Sequence, residues 1–198
     1  MEDIEIRLKD KKLLVTLYDG NKDVCVIFCP PHPLYGGSRK DARLDGIAHK
    51  LSSNGIMVYS VDYHRYTGGL GEVEDILSVV SYIKNLKGIH NIGILGYSYG
   101  AIIGSIVAAK AIPKGFVALS ILKSTNGLEA NLDSKCPKLL IHGKNDEIAP
   151  YSEFQKIYSK MNGKKDCLTL DTDHFYSGNV MGIVADSVLN FFSQNLFD

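Results

Sequence analysis

The stretch NIGILGYSYGAIIGSIVAAK, residues 91–110, decides the fold of this chain. It joins a short apolar run, residues 91–95, to a longer apolar segment, residues 99–110, through the glycine-flanked sequence Gly96–Gly100. This order predicts a buried strand that turns directly into a buried helix. At such a turn the chain passes close to itself, and only small residues avoid a collision. Ser98 occupies the apex and is expected to project outward.

The rest of the chain alternates in the same way between short apolar runs and helical patterns. Further strands are predicted at residues 4–7, 13–18, 24–29, 56–62, 116–121, 138–142 and 166–170. Helices with one apolar face are predicted after Ser38 and over residues 72–86, 151–161 and 179–194. Strands that alternate with helices predict an α/β fold, with a doubly wound, mostly parallel sheet and helices on both faces.

Length, composition and charge exclude several classes of protein. A chain of 198 residues with 45% apolar residues can bury one full core, so a single domain is expected over residues 1–198. The one candidate insertion, residues 123–135, is too short for a sizeable lid. The 22 basic residues balance the 22 acidic ones, which argues against a nucleic-acid partner. A charged N-terminus, with no apolar run near the roughly 20 residues that a membrane helix needs, predicts a cytoplasmic protein without a membrane partner.

The four cysteines do not form a recognisable metal or disulfide pattern. None belongs to a C-x-x-C pair, and no H-x-x-x-H sequence accompanies them. The sequence therefore predicts reduced thiols and no metal site.

The pattern G-x-S-x-G between a strand and a helix predicts that Ser98 is a nucleophile. The first amides of a helix that begins at Tyr99 are left unpaired and point towards the serine. The Tyr99 N–H is therefore expected to stabilise an oxyanion formed there. In the alternative interpretation, Gly96 and Gly100 only permit close packing and Ser98 is an ordinary serine.

A serine needs a base, and His174 is the best placed of the six histidines. It follows the last predicted strand, and parallel strands deliver their C-terminal loops to one edge of a sheet. His174 is therefore expected near Ser98 as the general base, against the alternative of a structural loop histidine. Among the others, His49 and His90 are expected at the surface, and His32 and His142 to have structural roles.

The carboxylate that orients the base is predicted to be Asp146. It lies in the loop HGKNDE, residues 142–147, and comes from a different loop than His174, so it can face Nδ1 while Nε2 faces the serine. Glu147 is the closest rival, and Asp171 and Asp173 are neighbours of the base in sequence. The chain order serine, aspartate, histidine is the one expected for this triad on a doubly wound sheet.

The loop after the third predicted strand, PPHPLYGG at residues 30–37, should supply a second oxyanion donor. Three of its residues are prolines, which have no N–H to donate. Leu34 is the first suitable donor after them, with Tyr35 as the fallback. The alternative is that the prolines only stiffen a turn.

Four motifs together resemble the α/β-hydrolase superfamily: GYSYG, HGKNDE, HPLYGG and TDHF, each after its own predicted strand. The resemblance covers residues 24–192 and is closest to the small lidless esterases that are dienelactone-hydrolase-like or prolyl-oligopeptidase-like. It implies about eight strands with the second one antiparallel, a serine esterase or related acyl hydrolase, and no metal or organic cofactor. True dienelactone hydrolases carry cysteine where this chain has Ser98, so their particular substrate is not implied.

The expected function is hydrolysis of small carboxylic esters through an acyl-enzyme on Ser98. A small-molecule ester or other acyl compound is the expected partner, and no pattern indicates an oligomeric state. Candidate substrate contacts, several of them on the loop after the fourth predicted strand, are Tyr35, His64, Arg65, Tyr66, Tyr97 and Tyr176. The alternatives are a thioesterase or a short-peptide or amide hydrolase with the same triad, and a non-catalytic binding protein on the hydrolase scaffold.

Overall fold

Eight strands form the central sheet of the computed structural model, which describes residues 1–8 and 10–197. In chain order, the strands of the structure are β1 (Glu2–Arg7), β2 (Lys12–Tyr18), β3 (Asn21–Cys29), β4 (Ile56–Val61), β5 (Asn91–Tyr97), β6 (Gly115–Leu119), β7 (Ser124–Thr125), β8 (Leu128–Glu129), β9 (Lys138–Gly143) and β10 (Lys165–Leu170). The sheet order is β1-β2-β4-β3-β5-β6-β9-β10, and β7 and β8 form a separate small hairpin.

Strand β2 runs against the other strands of the described sheet. It pairs antiparallel with both β1 and β4, whereas the pairs from β4 to β10 are parallel. The α/β fold with a mostly parallel sheet is therefore confirmed. Because the parallel strands point the same way, the loops that follow β3, β4, β5, β9 and β10 all emerge at one edge.

Helices cover both faces of the sheet. They are α1 (Ala42–Ser53), α2 (Leu70–Tyr82), α3 (Tyr99–Ala111), α4 (Tyr151–Lys160) and α5 (Met181–Leu196). Apolar side chains of α1 and α5 pack on one face, and those of α2, α3 and α4 pack on the other, so the sheet separates two cores. Within the described ranges, no helix has the length and apolar character to cross a bilayer.

The structure shifts several predicted boundaries. Helix α1 begins after Asp41, because the Asp41 carboxylate accepts hydrogen bonds from the Arg43 and Leu44 amides and caps the helix. The predicted helix over residues 72–86 begins at Leu70, ends its α-helical part at Tyr82, and continues as one π-helical turn, Ile83–Lys87. The hairpin of β7 and β8 lies in the candidate insertion, residues 123–135.

Candidate active site

The turn between β5 and α3 holds Ser98 in a strained conformation. Its φ is 57° and its ψ is −117°, which is rare for a residue with a side chain. A Cβ on Gly96 would lie 2.2 Å from the Gly100 oxygen, and a Cβ on Gly100 would lie 2.0 Å from the Cys29 oxygen. Glycine is therefore required on both sides of the serine, as the sequence pattern predicts.

Ser98, His174 and Asp146 lie in one hydrogen-bonded line at the loop edge of the sheet. His174 Nε2 is 2.9 Å from Ser98 Oγ, and His174 Nδ1 is 2.8 Å from Asp146 Oδ2. Asp146 follows β9 and His174 follows β10, and these two strands are parallel neighbours. All three side chains belong to buried residues, with 8%, 5% and 4% exposure for Ser98, His174 and Asp146. The topology therefore assembles three groups from distant parts of the chain.

Backbone amides hold the Asp146 carboxylate in place. Its Oδ1 accepts hydrogen bonds from the Ile148 amide at 3.0 Å and the Ala149 amide at 2.7 Å, which leaves Oδ2 for His174. Burial alone would raise the pKa of Asp146, but the hydrogen bonds from His174 and Ala149 outweigh it, and the pKa falls below its ordinary value. An ionised Asp146 keeps the imidazole proton on Nδ1, so the Nε2 lone pair faces the serine.

The rival carboxylates are placed elsewhere. Glu147 is exposed. Asp171 accepts a hydrogen bond from the Asn145 side chain, and Asp173 accepts from the amides of Phe175 and Ser177. Among these carboxylates, the geometry therefore favours Asp146 as the partner of His174.

His142, expected to be structural, stabilises the turn that carries Asp146. Its ring is fully buried and stacks on Phe154 with 4.4 Å between ring centroids. Its Nε2 lies 2.8 Å from the Ala149 carbonyl oxygen, and Ala149 also supplies one of the amides that hold Asp146. Burial lowers the pKa of His142, so the ring is neutral at neutral pH and donates from Nε2 to that carbonyl.

Tyr97 and Tyr176, expected to contact the substrate, lie in the core beneath the site. Each is only 2% exposed. The Tyr97 hydroxyl donates to the His174 carbonyl oxygen at 2.9 Å, and the Tyr176 hydroxyl donates to the Ile141 carbonyl oxygen at 2.9 Å. The expected substrate contact is therefore not supported for these two residues. Their hydroxyls are satisfied by backbone groups, as burial of a tyrosine requires, and they hold the His174 loop against the sheet.

The other expected contacts lie on two loops at the same edge. Tyr35 is 87% exposed, and Tyr66 is half-buried. His64 borders a cavity of about 440 Å³ and its Nδ1 lies 3.3 Å from the Lys12 carbonyl oxygen. Arg65 is exposed. Substrate contact by these four residues stays a prediction.

The amides expected to form the oxyanion hole come from two elements. The Tyr99 amide is the first of α3 and directly follows Ser98. The Leu34 amide belongs to a 3-10 turn, Pro33–Tyr35, and donates to the Nδ1 atom of His32 at 3.3 Å. The fallback donor, the Tyr35 amide, donates to the His32 carbonyl oxygen at 3.0 Å. Both loop candidates therefore already have an acceptor within the loop.

Two features near the site have no clear signal in the sequence. The carboxylate of Glu72 is fully buried and accepts hydrogen bonds from the Thr67 and Gly69 amides, which anchors the loop between β4 and α2. The Arg43 guanidinium lies over the Tyr97 ring, 4.7 Å from its centroid. For Glu72, the sequence offers one indication of this role: it is the third residue of α2, a position where capping glutamates are common.

The four cysteines are free thiols, three of them buried and Cys167 exposed. The part of the chain that the structure describes contains no group of three or more histidine, cysteine, aspartate or glutamate side chains arranged to hold a metal ion.

Solved structures of serine hydrolases match this chain over nearly its entire length. An α-β serine hydrolase homologue from Coxiella burnetii is 22% identical, with 96% of each chain covered and a TM-score of 0.88. The lidless serine hydrolase XC6422 from Xanthomonas campestris is 19% identical, with 98% of this chain and 94% of that chain covered and a TM-score of 0.84. An esterase from Pyrococcus furiosus is 20% identical, with coverages of 100% and 91% and a TM-score of 0.84. At these identities the likeness shows the fold.

A family match goes further than the fold. No curated protein matches the chain. The family described as serine hydrolase (FSH1) matches residues 25–176, a segment that contains Ser98, Asp146 and His174. This segment is well over half of the chain and extends from β3 to the loop after β10. The protein is therefore a member of the FSH1 family of α/β serine hydrolases.

Proposed function

We propose that the protein hydrolyses small carboxylic esters through an acyl-enzyme on Ser98. The observation that carries the proposal is the continuous line of hydrogen bonds from Asp146 through His174 to Ser98, at 2.8 and 2.9 Å. A base within hydrogen-bonding distance of a serine, itself oriented by a carboxylate, is the arrangement that activates a hydroxyl nucleophile. The esterase among the structures of the same fold supports the same reaction type.

In the first half of the reaction, Ser98 Oγ attacks the ester carbonyl carbon while His174 Nε2 takes the hydroxyl proton. The Asp146 carboxylate stabilises the imidazolium that forms. The carbon–oxygen bond to the leaving group then breaks, and His174 gives its proton to the departing alkoxide. Ser98 is left as an acyl ester.

In the second half, His174 takes a proton from a water molecule, whose oxygen attacks the acyl carbon. The carbon–oxygen bond to Ser98 breaks, Ser98 recovers its proton from His174, and the carboxylic acid leaves. The amides of Tyr99 and Leu34 stabilise the oxyanion in both halves, and loss of one such donor typically costs about 10²–10³ in kcat.

Exposed apolar side chains next to the catalytic groups favour an acyl substrate. Leu34, on the proposed oxyanion loop, is 66% exposed; Phe175, next to His174, is 53% exposed; and Ile148, on the turn that holds Asp146, is 51% exposed. These side chains can cover the apolar part of a small ester, because apolar area removed from water contributes roughly 25 cal/mol per Å².

The proposed setting is the cytoplasm, where free thiols stay reduced.

The proposal is tested by covalent labelling and by turnover. A fluorophosphonate should add one phosphonyl group to the wild type by intact mass, and none to Ser98→Ala. Ser159→Ala, at an exposed position on α4, is the matched control and should label like the wild type. Equal labelling of Ser98→Ala would exclude Ser98 as the nucleophile.

A substrate panel then separates the ester hydrolase from its alternatives. The panel contains p-nitrophenyl esters of short acids, acyl-CoA thioesters and aminoacyl amides. The proposal expects the highest kcat/KM on the esters, and a preference for thioesters or amides would replace the substrate class. A wild type that neither labels nor turns over any member would favour a non-catalytic binding protein.

A further inference from the structure

His32 accepts three hydrogen bonds from the loop that carries the second expected oxyanion donor. Its Nδ1 accepts from the Leu34 amide at 3.3 Å. Its carbonyl oxygen accepts from the Tyr35 amide at 3.0 Å and from the Gly37 amide at 3.1 Å. One residue therefore determines the orientation of nearly every N–H in this part of the loop.

The hydrogen bond to Leu34 specifies the protonation state of the ring. A ring nitrogen that accepts an N–H carries no proton, so neutral His32 has its proton on Nε2. The residue is 8% exposed, and Nε2 is buried without a hydrogen-bond partner among the described residues. A buried donor without a partner costs stability, and such a cost points to a role other than simple packing.

Three tyrosine rings surround the imidazole. The ring centroids of Tyr35, Tyr66 and Tyr99 lie 4.8, 4.8 and 4.7 Å from that of His32. Tyr99 is the residue after the nucleophile and carries the other expected oxyanion donor. The His32 ring thus contacts both expected donor residues. It lies against the Tyr99 ring, and its Nδ1 accepts a hydrogen bond from the Leu34 amide.

The surroundings of His32 favour the neutral form of its ring. The neighbours from its own loop, from the β4–α2 loop and from α3 are the three uncharged tyrosines, and the charged group that acts on it is Glu72 of α2. Burial lowers the pKa of His32 below its ordinary 6.5, and the negative charge of Glu72 opposes that shift without cancelling it.

We propose that His32 is a positioning residue for the oxyanion hole: its unprotonated Nδ1 holds the Leu34 amide in place, and protonation of Nδ1 releases it. This inference rests on the proposed function. The bond of 3.3 Å is long for an N–H donor, so an oxyanion, which is a charged and stronger acceptor, can take the Leu34 amide over. The two bonds to the His32 carbonyl keep the turn in place meanwhile. A proton on Nδ1 would instead bring two N–H donors face to face.

Two variants separate the acceptor from the ring. His32→Phe keeps an aromatic ring among the tyrosines but has no acceptor. His32→Asn loses the ring but places a side-chain oxygen where it can accept the amide two residues on, as asparagine commonly does. We expect His32→Phe to lower kcat by about 10- to 100-fold with little change in KM. Complete loss of one oxyanion donor typically lowers kcat by about 10²–10³, so the expected loss is a large part of that effect. We expect His32→Asn to stay within about threefold of the wild type, because the acceptor is retained.

The control is His90→Phe, at an exposed position directly before β5 and therefore at the opposite edge of the sheet. It should leave kcat and the free energy of unfolding unchanged. A loss in His32→Asn with wild-type kinetics in His32→Phe would show that ring packing alone matters, and equal losses in the two variants would show that a retained acceptor does not retain activity. Either result would overturn the proposal.

The pH dependence supplies a readout that a packing role would not change. In the wild type, protonation of His32 releases the Leu34 amide, so log kcat/KM should show an additional fall of about one to two units on the acid side, below the ordinary His32 pKa of 6.5. In His32→Asn this additional fall should be absent. Identical acid limbs in the two proteins contradict the proposal.

A measurement on the unmodified protein makes the inference independent of turnover. The ¹⁵N chemical shifts of the His32 ring show which nitrogen carries the proton, and we expect it on Nε2 at neutral pH. A proton on Nδ1 would overturn the inference whatever the substrate is. An inactive wild type with the proton on Nε2 would instead refute the proposed function and leave the loop geometry in place.

Discussion

Asp146→Asn is the sharpest test of the proposed triad, because it changes charge and donor pattern with almost no change in shape. The Asp146 carboxylate accepts three hydrogen bonds, from two backbone amides and from His174. An asparagine oxygen can satisfy the two amides, which places its NH₂ group opposite His174 Nδ1. The imidazole must then carry its proton on Nε2, where it faces Ser98 with a proton instead of a lone pair.

The expected loss follows from that wrong tautomer. Replacing the carboxylate of such a triad by an amide typically lowers kcat by about 10⁴. At about 1.4 kcal/mol for each factor of ten, the transition state loses about 5.5 kcal/mol. Three charge-assisted hydrogen bonds become neutral ones, so the free energy of unfolding should fall by about 1–3 kcal/mol.

The assay is steady-state hydrolysis of a p-nitrophenyl ester, together with urea unfolding of the same samples. Glu147→Gln is the matched control, since Glu147 is the next residue and its side chain is exposed. It should keep kcat and stability within experimental scatter, because exposed charges contribute little. Circular dichroism would show that Asp146→Asn remains folded under the assay conditions.

Two results would refute the reasoning. A kcat for Asp146→Asn within about tenfold of the wild type would show that the carboxylate does not set the tautomer. A loss of kcat in Glu147→Gln as large as in Asp146→Asn would show that the loss does not depend on the hydrogen bond between Asp146 and His174.

Two further predictions concern the serine turn and acid stability. Gly100→Ala places a Cβ 2.0 Å from a main-chain oxygen of β3 and should lower the free energy of unfolding by about 3 kcal/mol. Gly46→Ala lies at an exposed position of α1, where a Cβ would meet nothing within 4 Å, and should raise the free energy of unfolding by about 0.5–1 kcal/mol. Equal effects of the two variants in urea unfolding would contradict this prediction. Because the folded pKa of Asp146 lies below its ordinary 3.8, the ionised group stabilises the protein above pH 3.8, and this stabilisation is lost as the pH falls through the folded value. Asp146→Asn should therefore show a shallower loss of stability in urea titrations from about pH 5 to pH 2, and an unchanged slope would argue against it.

The order of the elements was predictable because strands and helices bury their side chains with different periods, and these periods are visible in the sequence. Strands such as β4 are buried on both faces and therefore appear as nearly continuous apolar runs, whereas α1 buries one face and shows an apolar residue every three or four positions. Boundaries were less predictable, because they depend on local hydrogen bonds. The Asp41 carboxylate, for example, decides where α1 begins, and a π-helical turn replaces the last part of the predicted second helix.

The location of the site was also predictable, because parallel strands bring their C-terminal loops to one edge whatever the loop sequences are. This argument places Ser98, Asp146 and His174 near one another, but it places Glu147 and Asp171 there as well. The choice among the carboxylates came from the amides of Ile148 and Ala149, which turn the Asp146 side chain towards the base.

The direction in which the side chains at the site point could not be predicted from the sequence. Tyr97 directly precedes Ser98 and Tyr176 comes two residues after His174, yet both tyrosines are buried and bonded to backbone carbonyls. His32 likewise turns its ring back onto its own loop and into a group of tyrosines.

The sequence by itself determined the α/β class and the strained serine turn, and it predicted the edge of the sheet at which Ser98, Asp146 and His174 lie. These follow from properties of single residues and short segments: apolar period, the absence of a Cβ in glycine, and strand direction. Only the tertiary structure decided which carboxylate meets the base, which tyrosines are buried and what holds the Leu34 amide. Those choices depend on contacts between residues far apart in the chain, and the free energy of each contact depends on burial that no single segment specifies.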